Sequence, residues 1–118
     1  MGKRARTVIP VSIPNAGTTS AEFNINGMRI VGIRMSTAWT AGNLTMQALI
    51  DEVPPAAPTF GNVVDGTGAA IVLAATPTAS TYLALADTTA FLGLGRVKLV
   101  AGAAQGAQRD LEVVLLDD

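Results

Sequence analysis

Apolar residues along this chain fall in short runs, mostly alternating with polar ones, and the runs are separated by clusters of Gly, Pro, Asn, Asp and Thr. Helical spacing is nearly absent. That rhythm predicts an all-β domain, a sandwich or barrel of many short strands. About eight strands are expected. The first covers residues 7–13, with Ile9, Val11 and Ile13 on one face; Pro10 and Pro14 cannot donate to a ladder, so it is an edge strand or an arm. A turn at Asn15-Ala16-Gly17 leads to a strand at 20–25, and Asn26-Gly27 is the strongest hairpin signal. The strand at 28–35 is apolar on both faces: Val31, Ile33 and Met35 share one, Met28, Ile30 and Arg34 the other. Such a strand is central and covered on both sides, by its own domain or by a partner.

The strand at 43–51 directs Leu44, Met46, Ala48 and Ile50 to one side. A proline-rich loop follows, with Pro54, Pro55 and Pro58 favouring stiff polyproline II. Further strands are expected near 59–64, 69–74, 80–85, 96–101 and 109–116, with a turn at Asp65-Gly66-Thr67-Gly68 and one helical turn from Asp87. In the last strand Leu111, Val113 and Leu115 face one way, Asp110 and Glu112 the other. The fold class is thus a jelly-roll-like β-sandwich of about eight strands in two antiparallel sheets. One domain, residues 7–118, is preceded by a basic arm, residues 1–6.

Composition narrows the chemistry. Cysteine and histidine are both absent from the 118 residues. That removes thiol nucleophiles, thiolate metal sites and the commonest general base. The expectation is a binding protein, not an enzyme, with no cofactor or metal. Charged residues make up only 14% of the chain and apolar ones 49%, against about 25% charged in an ordinary soluble domain. A surface this poor in charge is suited to being covered. The net charge of −1 does not point to nucleic acid, and no run nears the ~18 apolar residues of a membrane helix. Charge is uneven: residues 1–34 hold five bases and one acid, the remainder three bases and eight acids.

Three groups of residues are candidate sites. Asp51, Glu52 and Asp65 flank the proline-rich loop, and paired carboxylates suit glycoside hydrolysis or calcium; solvated loop charges are the expected reading. Trp39, on the loop 36–43, either stacks on a sugar ring or caps the core, and the shortage of other aromatics favours the cap. Lys3, Arg4 and Arg6 form either a frayed end or an ordered arm reaching an acidic neighbour. The expected contact residues are Lys3, Arg4 and Arg6 on the arm and Met28, Ile30 and Arg34 as an interface face, with Trp39 as a loop anchor. A small-molecule ligand is not expected.

Several segments in order carry a family resemblance: Ile13-Pro14-Asn15-Ala16-Gly17-Thr18-Thr19-Ser20, then Gly27-Met28-Arg29-Ile30-Val31-Gly32-Ile33-Arg34-Met35, then Ala38-Trp39-Thr40-Ala41-Gly42-Asn43-Leu44-Thr45-Met46-Gln47-Ala48, and later Gly95–Gly102 and Gln108–Leu115. This succession resembles small structural proteins of tailed bacteriophages, most specifically around Trp39. It departs from the group's pattern after Ala48, where Leu49-Ile50-Asp51-Glu52 runs into the prolines, and at Ala101, where a serine is usual. The resemblance implies a virion component made in the host bacterial cytoplasm. It implies a head decoration or cement protein, a homotrimer on the outer surface of the major capsid protein lattice. The alternative is a carbohydrate-binding or structural domain of a tail, spike or fibre.

Overall fold

The computed structural model describes residues 5–51, 59–85 and 95–117. Nine strands are found in these segments: β1 (Ala5–Ile13), β2 (Phe23–Asn24), β3 (Arg29–Arg34), β4 (Leu44–Asp51), β5 (Thr59–Asn62), β6 (Val72–Ala74), β7 (Tyr82–Ala84), β8 (Arg96–Ala101) and β9 (Arg109–Asp117). One sheet runs β1-β9-β3-β7. The other runs β2-β8-β4-β5, with β6 also on β4, and all pairings are antiparallel. Set β6 aside and the partners are β1 with β9, β2 with β8, β3 with β7 and β4 with β5. The chain is therefore one long hairpin whose paired arms wind into two facing sheets, which is the jelly roll. The expected fold class is found, with β6 as an added short strand.

The core lies between the sheets. Val11, Ile13, Ile33, Leu111, Val113 and Leu115 enter it from the first sheet. Leu44, Met46, Ala48, Val97, Leu99 and Ala101 enter from the second. Each follows the two-residue period of its own strand. Burying such a side chain is worth about 1.5–3 kcal/mol, so this alternation, repeated on β4, β8 and β9, fixes which face of each turns inward.

Several expectations are corrected here. Asn26 and Gly27 do take the positive φ values of a tight turn, 51° and 71°, closed by the Met28 N–H on the Ile25 carbonyl. Yet no hairpin forms: β2 joins the second sheet and β3 the first, so the turn is a corner between sheets. The strand expected at 20–25 is short, because residues 18–20 meet β8 through separate hydrogen bonds in place of a continuous ladder.

β3 carries a bulge. Ile30 pairs with Leu115 and Gly32 with Val114, so Val31 is an extra residue. One inserted residue reverses the side-chain period. Ile30 and Ile33 consequently both point into the core, and Ile30 is 0% exposed. The expected face of Met28, Ile30 and Arg34 therefore does not exist: Ile30 is core, and Met28 is a half-buried neighbour of the core. A second register shift, at Leu49 to Asp51 against β5, makes Ile50 the extra residue there. Ile50, expected inward with Leu44, Met46 and Ala48, is 68% exposed.

β1 is an edge strand paired with β9 alone, the place in a sheet that suits its Pro10. It starts at Ala5, so Arg6 belongs to the ladder opposite Leu116, not to an arm. Lys3 and Arg4 lie outside the described residues, as do Glu52, the three prolines of the loop and the turn expected at Asp87.

Candidate binding surface

The first sheet presents an outer face built by strand register. Its rows are Arg6–Leu116–Arg29, then Val8–Val114–Gly32–Ala84, then Pro10–Glu112–Arg34–Tyr82, then Ser12–Asp110. The half of this face nearer Leu116 is apolar although it lies away from the core. Val8, Val31 and Leu116 are half-buried, and Val114 is only 1% exposed. Tyr82 explains part of this. Its ring lies across Gly32: a Cβ placed on Gly32 would overlap the Tyr82 hydroxyl. Glycine in this central strand makes room for the ring to lie flat over the sheet. Tyr82 nevertheless remains 51% exposed. A half-exposed tyrosine on apolar neighbours, rimmed by charge, has the make-up of a protein contact surface.

Arg34, an expected contact residue, is on this face and pairs with Glu112 at 3.1 Å. Both side chains are over two-fifths exposed, so the pair fixes direction more than it stabilises. The outer face of the second sheet differs. There Lys98 stands 4.4 Å over the Phe60 ring, Gln47 and Asn62 pair across strands, and Arg96 bridges Glu22 at 2.7 Å. Those charged and amide groups are mixed with exposed apolar residues, Ile50 of β4 and Val72 of β6.

Glycine 32 gives a direct check on the Tyr82 placement. In Gly32→Ala the new methyl has only the far end of one side chain to displace. The ring swings outward, Tyr82 becomes more exposed, and stability falls by about 1–2 kcal/mol through lost packing. The ring's proton NMR shifts should move towards free tyrosine values.

At one end of the sandwich, Trp39 packs against the core and its indole N–H donates to the Gly42 carbonyl at 3.2 Å. That arrangement is the cap; the ring is half-buried. Its loop is held by a residue the sequence did not single out. Gln105 is 1% exposed. Its side-chain oxygen accepts from the Thr40 N–H at 2.9 Å and the Arg109 Nε–H at 3.2 Å. Its amide donates to the carbonyls of Thr40 at 3.3 Å and Ala103 at 3.1 Å. Its backbone exchanges hydrogen bonds with the turn at Ala16 and Gly17. One glutamine thus ties three loops. Thr40 Oγ1 completes the tie by accepting from Gly106 N–H and Arg109 Nη2.

Beside this corner lies a depression of about 290 Å³ lined by Met35, Ser36, Thr37, Ala38, Gln108, Arg109 and Asp110. Asp110 is the one carboxylate of its lining, and paired-carboxylate hydrolysis needs two. Asp110 Oδ1 accepts from the Ser12 hydroxyl at 2.6 Å and from the Gln108 amide at 2.9 Å. Those bonds, the Ser12 bond foremost, hold its pKa below the ordinary 3.8. A carboxylate depressed in the folded state contributes stability that is present above its unfolded pKa and is lost as pH falls through its folded one. Acid unfolding monitored below about pH 4 should therefore be steeper in the native chain than in Asp110→Asn.

Asp65, the third of the flanking acids, sits in an exposed turn. Its carboxylate accepts from the Thr67 hydroxyl, the Thr67 N–H and the Ala69 N–H, which lower its pKa and hold the turn. Its bonds are those of a turn brace.

No family model matches this chain, and no curated protein does. Among solved structures it is similar to the crystal structure of SPBc2 prophage-derived protein YomS. The two are 13% identical with a TM-score of 0.57, and the likeness covers 99% of this chain and 97% of that one. They share the fold over their whole lengths.

Proposed function

We propose that this chain is a structural protein of a tailed-phage virion, a head decoration protein that binds the outer surface of the major capsid protein lattice as a homotrimer. Its task is binding, and no step of chemistry is assigned to it. The observation that carries the reading is the whole-length likeness to a prophage-derived protein. The sequence resemblance centred on Trp39 and the apolar outer face rimmed by charge add support. A decoration protein works by adding buried area across the seams of a shell, copy by copy, so that many weak contacts together resist internal pressure. Lys3 and Arg4 are proposed contacts with the capsid, while Arg6 and Arg34, on the outer face of the first sheet, are proposed contacts between subunits.

The test compares heads assembled with and without the protein. Heads carrying it should keep their DNA at a temperature or a dilution of divalent ions at which bare heads leak. Equal leakage from both would overturn the reading. The sugar-stacking alternative draws no support from Trp39, whose ring is on the core and whose N–H is already bonded.

A further inference from the structure

We infer that the outer face of the first sheet docks on a second copy of itself across a two-fold axis. The face carries opposite charges at its opposite ends. Arg6 lies in the Leu116 row, and Asp110 lies at the far end of the same strand, six residues away. Their rows are equally distant from the centre of the face, which falls at Val113. A half-turn about that centre exchanges the ends. It lays Arg6 of one copy over the Asp110 end of its partner, twice in each pair. The Arg34–Glu112 pair near the centre is neutral as a unit, so it opposes neither orientation. Between the charged ends the half-turn sets Val8 on Pro10 and Ala84 on Tyr82 at the two edges, and Val114 and Gly32 on the Glu112–Arg34 pair in the middle.

The size of the face sets the strength. Four strands at about 4.8 Å spacing and seven residues at about 3.3 Å make a flat face of about 400 Å². Stable pairs bury about 800 Å² on each partner. The contact is therefore weak in dilute solution and forms where copies are already held close, as on a lattice. It is additional to the three-fold contact of the proposed trimer and would tie neighbouring trimers together. It does not depend on the virion reading.

Sedimentation of the full chain from micromolar to millimolar concentration tests it. The mass of the native species should climb steadily with concentration. Arg6→Glu and Asp110→Arg should each abolish the climb, and the double variant R6E/D110R should restore it. Tyr82→Ser should abolish it without any change of charge. Thermal melts verify that each variant is folded; if Asp110→Arg melts early, Ser12→Lys places the same charge in the same row and is paired with Arg6→Glu instead. A constant native mass, or a folded double variant that fails to recover, overturns the inference. Neither result bears on whether heads bind the protein, which the leakage experiment reads separately.

Discussion

Ile30→Ala should destabilise the protein by about 3–5 kcal/mol, the cost of emptying a filled core site. Unfolding in urea measures it. The size of the effect decides between two placements. On an outward face, the same truncation would move stability by about 0.5 kcal/mol or less. Ile30 lies in the core because Val31 is an extra residue in β3. Met28→Ala is the companion measurement. Met28 is half-buried against the core's rim, and its truncation should cost about 1–2 kcal/mol, since a partly buried side chain forfeits less area.

Gln105→Ala should cost about 2–4 kcal/mol. The substitution removes four side-chain hydrogen bonds at once. It also leaves the Thr40 N–H and carbonyl and the Arg109 Nε–H without their partner in a part-buried corner, where each orphaned group carries a desolvation penalty of about 1–3 kcal/mol unless water reaches it. At about 4 °C for each kcal/mol in a domain of this size, the melting temperature should drop by about 8–16 °C. Trp39 fluorescence should shift to the red before global unfolding, because the loop that seats the ring loses its tie. Gln105→Glu gives a sharper reading. It keeps the acceptor that Thr40 N–H and Arg109 use but loses the amide donors to the Thr40 and Ala103 carbonyls, so it should fall between the native chain and the alanine variant.

The alternation of β4, β8 and β9 was legible in the sequence because those strands keep a strict two-residue period over most of their length. Leu44, Met46 and Ala48, Val97 and Leu99, and Leu111, Val113 and Leu115 all point where the pattern directs them. The pattern failed where a strand gains a residue. Val31 and Ile50 look like ordinary members of their runs, and only pairing with a neighbour reveals them as extra. The Asn26-Gly27 signal correctly gave a tight turn; where its two strands then go depends on long-range pairing that no local signal encodes.

The proposed contact face was half legible. The sequence shows an apolar strand on two sides at β3, and β9 carries the same sign, Val114 and Leu116 alternating with the core residues. Reading the two strands together would have placed an apolar outer face in the right sheet. Tyr82 on Gly32 could not have been found that way, since the two residues are brought together only by the pairing of β3 with β7. Gln105 was hidden for a different reason. A polar residue in a Gly- and Ala-rich loop reads as solvent-exposed, and its burial follows from three loops converging at one end of the sandwich.

We propose that this jelly roll coats a phage head. Quantitative mass spectrometry of purified virions, with heads and tails separated, tests it most directly. A head coat requires hundreds of copies per particle, all fractionating with heads. Tens of copies or fewer, or copies that travel with tails, would contradict it.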